Sequence, residues 1–354
     1  MNNLEKDIKK YKVAIVGASG YTGTELARLL LHHDGVEIVV ITSESHAGRK
    51  FSDLHPQFQG LLDLQLAPAE EVETFEPDVI FLALPHGVSM EFVKKWAGMD
   101  TKIIDLSGDF RLAGPEIYKS WYNKDHTYPE GFDAAVYGLP EAHEEAIRKA
   151  ALVANPGCYP TAAILSLAPL FAAGMVQPDS VIIDAKSGTT GAGIKPGTTT
   201  HFSNVNDNFR AYGLGRHRHT IEIEEQFGEL VNREVHLQFT PHLLPIDRGI
   251  LVTSYAKFKE GKSPGQDGLI RIYRDYYQNK PFVRIREQAP AVKEVRGSNF
   301  CDIYPFWDER TQRVIAVAAI DNLVKGAAGQ AVQNMNIMLG LPQTVGLNHV
   351  PIQP

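Results

Sequence analysis

The stretch from Lys12 to Ser43, KVAIVGASGYTGTELARLLLHHDGVEIVVITS, constrains the fold more than any other part of the chain. An apolar run leads into the glycine-rich GASGYTG, then into an amphipathic helical stretch and a second apolar run. That order is a β-α-β unit. Gly17, Gly20 and Gly23 fall between strand and helix as a GxxGxxG variant of the dinucleotide fingerprint. Glycines at such a turn let backbone amides approach a pyrophosphate, and the helix behind them offers unpaired N–H groups and partial positive charge. The second strand ends in Ile41-Thr42-Ser43, where an NAD site would be expected to carry Asp or Glu for the ribose 2′-hydroxyl. The hydroxyls, with Arg49 shortly after, fit a 2′-phosphate, so NADP(H) is the expected cofactor. Glu44 keeps NAD as the alternative, and Arg49 reads equally well as a loop charge.

The rest of the chain extends this beginning into two domains. Apolar β-type runs at Val79–Ala83 and Ile103–Leu106, with a helical stretch near Val88–Trp96 between them, continue the alternation of a doubly wound parallel sheet. Around Leu152–Pro160 a short strand meets Asn-Pro-Gly-Cys-Tyr-Pro, and a helix is expected from about Thr161 to Ala173. Strands at Val181–Lys186, Glu234–Phe239, Ile250–Lys257 and Val314–Ile320, with fewer helices between them, suggest a second domain of α+β type. A last helix, about Ala327 to Leu339, has apolar residues at helical spacing and is expected to pack back on the first domain. The division expected is 1–157 plus 325–354 for the nucleotide domain and 158–324 for the catalytic and oligomerisation domain.

Composition narrows the function classes. Across 354 residues, 35 Lys and Arg stand against 42 Asp and Glu, a net charge of −7 that argues against a nucleic-acid partner and for a small molecule. The two cysteines, Cys158 and Cys301, cannot form a disulfide framework and suggest free thiols in a reducing, cytoplasmic compartment. The polar N-terminus, Met1 to Tyr11, does not look like a signal peptide, and the longest apolar runs are of strand length, so no membrane association is expected.

Four segments carry candidate chemistry. Cys158, in a turn forced by Asn155-Pro156-Gly157 and Pro160, stands at a helix N-terminus, where a thiolate is stabilised; thiolate is the nucleophilic form. Cys301 lies in an apolar strand and reads as structural. His217 and His219 occur in Gly-Arg-His-Arg-His before an acidic helical segment, Ile221–Leu230. Extended chain would point both rings one way, but third and fourth ligands are not evident nearby, so no metal is assigned. A neutral His219 at a helix start suits a proton carrier, and Arg216 and Arg218 suit phosphate or carboxylate. Ser187-Gly-Thr-Thr-Gly-Ala-Gly193 and Asp105-Leu-Ser-Gly-Asp-Phe-Arg111 each follow a strand and read as anion cradles.

With GASGYTG, NPGCYPT, SGTTGAG and GRHRH in this order, and ITSESHAGRK, DLSGDFR and NLVKGAAGQA reinforcing them, the chain resembles the N-acetyl-gamma-glutamyl-phosphate reductase family. These NADP-dependent enzymes of arginine biosynthesis are related to aspartate-semialdehyde dehydrogenases. The resemblance spans essentially the whole chain. It implies a Rossmann domain closed by the C-terminal helix, a glyceraldehyde-phosphate-dehydrogenase-like catalytic domain and a homo-oligomer, a dimer or commonly a tetramer. It implies Cys158 as nucleophile and His219 as acid/base, with His217 a weaker candidate near the substrate. Gly17, Ser19, Gly20, Tyr21, Thr22, Gly23, Thr42, Ser43, Arg49, Ser187, Gly188 and Asn322 are then expected at the cofactor. Arg111, Lys195, Arg216 and His217 are expected near an acyl phosphate substrate. The same chemistry on an aspartyl or aminoadipyl phosphate, and a non-enzymatic NADP-sensing protein, are the competing readings; a metal-dependent hydrolase is a third.

Overall fold

The computed structural model describes residues 10–353; nearly all of the polar N-terminal segment weighed against a signal peptide lies outside the described residues. Seven strands, β1 (Tyr11–Val16), β2 (Val36–Thr42), β3 (Leu66–Ala67), β4 (Val79–Leu82), β5 (Lys102–Asp105), β6 (Ala135–Tyr137) and β7 (Leu152–Ala154), make a sheet of order β3-β2-β1-β4-β5-β7-β6. All its pairs are parallel. Val13 to Val16, in the inner strand β1, are buried, as a parallel strand covered on both faces requires. The order reverses around β1, and ligands of doubly wound sheets bind at the C-terminal strand ends beside such a reversal.

The second sheet combines β8 (Ile182–Ser187), β9 (Arg210–Ala211), β10 (Gln238–Leu243), β11 (Ile250–Lys257), β12 (Val283–Ile285), β13 (Cys301–Asp308) and β14 (Arg313–Ile320) in the order β12-β13-β14-β11-β8-β10-β9. Its long central pairs are antiparallel, and β10 joins β8 in parallel, so the α+β expectation holds. The strand expected at Glu234–Phe239 starts four residues later and runs through Pro241. Proline interrupts a ladder on one side, and here it sits beside the two-residue edge strand β9.

The helix Cys158–Ala172 is buried from Tyr159 to Phe171 and apolar on every side, which fits a helix packed into a core rather than laid on its rim. Its residues share a cluster with Ile183, Ala185, Val252 and Ala316 of the second sheet. The C-terminal helix, Gly329–Met338, is buried along its whole length and shares a cluster with Val13, Ile15 and Val79 of the first sheet. The expected α-helical start at Ala327 is replaced by a π-turn, Val324–Ala328, a form that is rare and concentrates at functional sites.

Candidate active site

The glycine turn is built as its sequence demands. Gly17 has φ 90°, in the left-handed region, and a side chain there would sit 2.5 Å from the Ala83 carbonyl oxygen. Any side chain on Gly23 would overlap the Gly17 carbonyl, so the helix Tyr21–Leu30 can approach β1 closely only with glycine there. The hydroxyls that close β2 hold this turn: Gly17 N–H donates to Thr42 Oγ1 at 3.4 Å and Ser43 Oγ donates to Ser19 Oγ at 3.1 Å. Gly20 caps the helix with no side-chain hydrogen bond, and the first turn carries no acidic residue. The leading amides are therefore free for an anion, and this cradle fits a dinucleotide pyrophosphate. Tyr21, at the start of that helix, and Arg49 are exposed.

On the second domain, β8 ends in Ser187 and the chain turns through Gly188. Thr189 and Thr190 donate backbone N–H to the carbonyls of Ile246 and Asp247, and Asn322 Nδ2 donates to Thr190 Oγ1 at 2.9 Å. Gly249 N–H donates to Asn322 Oδ1 at 2.7 Å, so Asn322 ties the Ser187–Thr190 turn to the end of β14. Ser187 Oγ and Asn322 Nδ2 both lie within 4 Å of the open side of Gly191, at 3.1 and 3.8 Å from where a Cβ would stand.

Cys158 is half-buried at the first position of its helix. Gly326 of the π-turn packs on it so tightly that a Cβ there would lie 2.8 Å from the Cys158 Cβ. Gly157, immediately before it, faces His219: a Cβ at Gly157 would meet His219 Nε2 at 2.5 Å and Arg111 Nη1 at 3.0 Å. The turn that carries Cys158, the imidazole and a guanidinium thus converge on one point. His219 opens the helix His219–Val231; its Nδ1 is buried without a hydrogen-bond partner among the described residues. Burial, followed by His217, Arg111 and Arg218, holds its pKa well below the ordinary histidine range, so the ring is neutral at pH 7.

The expectation for the thiol is corrected. Burial pushes Cys158 up to about 11, opposed by the charge of Arg111, so the helix terminus does not by itself hold a thiolate. The helix-end effect is a fraction of a charge, and desolvation of an ionised sulfur outweighs it. The histidine pair differs too. Arg218 has φ −55° and ψ −29°, so the segment is a turn, not extended chain; the two rings still lie 4.8 Å apart, and His219 N–H donates to His217 Nδ1 at 3.2 Å. Cys301 is fully buried in the second core.

Arg111 is 8% exposed and directs its donors inward, to the carbonyls of Asn155 and Leu106 at 2.8 Å each and to Glu222 at 3.4 Å. Glu222 was not singled out by sequence reasoning. Its carboxylate, 1% exposed, accepts the Gly157 N–H at 2.7 Å and the Tyr137 O–H at 2.9 Å besides facing Arg111. The available signal was its position, three residues after His219 on one helix face. Arg218 lies over the Tyr122 ring at 5.1 Å, and its charge bears on His86, His217 and His219. Arg216 and Lys195 are exposed. Among the described residues no group of three or more His, Cys, Asp or Glu is placed to hold a metal ion.

Models of known families match both halves of the chain: a semialdehyde dehydrogenase NAD binding domain over residues 12–150 and a semialdehyde dehydrogenase dimerisation domain over 158–322. Aspartate semialdehyde dehydrogenase II of Vibrio cholerae, solved in complex with ASA, superposes with a TM-score of 0.70 at 17% identity over 94% of this chain and 99% of that one. The Candida albicans aspartate semialdehyde dehydrogenase, solved with NADP, gives 0.71 at 14% identity over the same shares. Fold and site thus define an oxidoreductase of the semialdehyde dehydrogenase class. The N-acetyl-gamma-glutamyl-phosphate reductase of Desulforudis audaxviator is 49% identical over 95% of this chain and 97% of its own. That of Methanococcus maripaludis is 47% identical over 97% and 99%. The chain belongs to the N-acetyl-gamma-glutamyl-phosphate reductase family. No helix among the described residues is long and apolar enough to cross a membrane.

Proposed function

We propose that this protein reduces N-acetyl-L-glutamyl 5-phosphate to N-acetyl-L-glutamate 5-semialdehyde and phosphate with NADPH, through a thioacyl intermediate on Cys158. The observation that carries the reading is the convergence of Cys158, His219 Nε2 and Arg111 about Gly157. NADPH, when bound, supplies the hydride that side chains cannot. Its pyrophosphate is assigned to the turn formed by Gly17, Ser19, Gly20, Tyr21, Thr22 and Gly23, its ribose phosphate to Thr42, Ser43 and Arg49, and its nicotinamide end to Ser187, Gly188 and Asn322.

Because the thiol is high and the imidazole low, the resting pair is thiol and neutral imidazole. His219 takes the thiol proton as sulfur attacks the acyl carbon; the carbon–sulfur bond forms and the carbon–oxygen bond to phosphate breaks. Arg218 meets the charge of the departing phosphate; the Gly188, Thr189 and Thr190 amides of SGTTGAG are taken up by the carbonyls of Gly249, Ile246 and Asp247. After reduction, His219 moves the proton as the thiohemiacetal releases aldehyde and returns the sulfur. Covalent catalysis so divides one hard displacement into two easier ones. Arg111, Lys195, Arg216 and His217 remain assigned to the substrate side, Arg111 by its charge at Cys158 and the exposed Lys195 and Arg216 by reach from their loops.

The division into 1–157 with 325–354 and 158–324 is supported by the packing of two helices: Cys158–Ala172 shares a core cluster with the second sheet, and the C-terminal helix shares another with the first. A homo-oligomer built on the second domain, dimer or tetramer, and a cytoplasmic location follow from this assignment. The test is NADPH oxidation with N-acetyl-glutamyl phosphate against aspartyl phosphate, each generated by a coupled kinase. Turnover is expected with the first. Cys158→Ser is expected to abolish it, and His219→Asn to lower it by about 10²–10⁴-fold. Preference for aspartyl phosphate, or near-normal turnover by Cys158→Ser, overturns the reading.

A further inference from the structure

Outside the acid/base centre, one buried charge cluster joins the two domains directly behind the cofactor cradle. Arg248, in the loop between β10 and β11, places its guanidinium between two carboxylates. It donates to Asp321 through Nε at 3.0 Å and Nη2 at 3.0 Å, and to Glu25 through Nη1 at 3.1 Å and Nη2 at 3.0 Å. Asp321 is fully buried and Glu25 is 5% exposed. Burial raises the Glu25 carboxyl, and hydrogen bonds from Arg248 and Arg28 more than reverse this. The Glu25 carboxylate is thus held ionised beside the cation.

The partners of this guanidinium give it meaning. Glu25 lies on Tyr21–Leu30, the helix whose N-terminus forms the pyrophosphate cradle. Asp321 immediately precedes Asn322, and its carboxylate also accepts the N–H groups of Leu323 and Val324 at the start of the π-turn. The loop that carries Arg248 holds the Ser187–Thr190 turn through the Ile246 and Asp247 carbonyls. The helix behind the glycine turn, the Ser187–Thr190 turn and Asn322 are therefore each tied to Arg248 or to the loop that carries it. Bidentate pairing on two sides fixes orientation as well as distance, which an ammonium cannot do.

We propose that Arg248 is a positioning residue for the cofactor: it locks the glycine-turn helix to the Ser187–Thr190 turn and Asn322, so that the two walls of the cofactor site hold one spacing. This rests on the NADPH reading of the site. Thioacyl formation at Cys158 precedes hydride transfer and uses Gly157, His219 and Arg111, none of which Arg248 touches, so the two half-reactions separate its role from a general structural one.

The experiment measures NADPH affinity by fluorescence titration, and acyl transfer by the burst of phosphate released without NADPH, in wild type, Arg248→Ala, Arg248→Lys and Glu25→Gln. Arg248→Ala is expected to weaken NADPH binding roughly 10- to 100-fold, as loss of a buried charged hydrogen-bond set does, with the phosphate burst kept within about twofold. Arg248→Lys is expected to recover part of the loss, and Glu25→Gln, which leaves the Asp321 side intact, to weaken NADPH in the same direction. Should Arg248→Ala fail to fold, the lysine and glutamine variants decide. Unchanged NADPH affinity in both, or equal falls in affinity and burst, overturns the proposal. Wild type lacking both burst and NADPH oxidation would instead refute the functional reading beneath it.

Discussion

Replacing Glu222 with glutamine tests the interior of the site, because one carboxylate there serves three donors. Its Oε1 accepts Gly157 N–H and Tyr137 O–H, and its Oε2 faces Arg111. Glutamine keeps the shape and one oxygen. With that oxygen on Gly157 and Tyr137, the new amide group points a donor at a guanidinium. Breaking a buried ion pair from one side costs about 3–5 kcal/mol. Arg111 retains its bonds to the Asn155 and Leu106 carbonyls, which places the loss nearer about 2–3 kcal/mol. At about 2–4 °C per kcal/mol for domains of this size, Tm is expected to fall by about 5–10 °C. The thiol responds in the opposite sense: Glu222 raises Cys158 and Arg111 lowers it, so removing the carboxylate leaves the cation unopposed. The pH profile of iodoacetamide alkylation, which reports Cys158 because Cys301 is fully buried, is expected to shift to lower pH. Differential scanning calorimetry gives the first quantity and alkylation rates from pH 7 to 11 give the second. A variant melting within about 1 °C of wild type, with an unmoved alkylation profile, would refute this account of Glu222.

Two further substitutions probe neighbouring contacts. Gly157→Ala puts a methyl 2.5 Å from His219 Nε2, and a displacement of that ring is expected to cost about 10²-fold in kcat, measured by NADPH oxidation; an unchanged kcat contradicts the packing at Gly157. Asp105 is fully buried, and burial followed by the nearby Asp109 raises its carboxyl above the ordinary range, so its ionisation costs stability once pH exceeds about 4. Asp105→Asn is accordingly expected to gain about 1–3 kcal/mol relative to wild type between pH 4.5 and 7.5 in denaturant titrations, and a constant difference across that range speaks against the assignment.

Local pattern and tertiary context divided the labour in ways particular residues show. The βαβ start was legible because its signals are all short-range: apolar runs, three glycines and a helical periodicity within Lys12–Ser43. Ile250–Lys257 falls where its composition places it, since a long central strand has no competing reading. Glu222 was hidden because the acidic run Ile221–Leu230 looks like a solvated helix face; its partners Gly157, Tyr137 and Arg111 lie 65, 85 and 111 positions away. Arg248 was hidden for the same reason, its partners lying 223 and 73 positions off. The thiol expectation failed because a helix terminus is a property of nearby sequence, while desolvation is set by the Gly326 turn packed over Cys158 from the far end of the chain. Lys195 and Arg216 lie on exposed loop that local sequence cannot aim.

The account depends on a covalent acyl group at one sulfur, and rapid acid quench of enzyme mixed with N-acetyl-glutamyl phosphate in the absence of NADPH, followed by peptide mass spectrometry, looks for it directly. An N-acetyl-glutamyl adduct on the peptide containing Cys158, discharged when NADPH is added before the quench, is the predicted result. Turnover with that peptide unmodified at every quench time would contradict it.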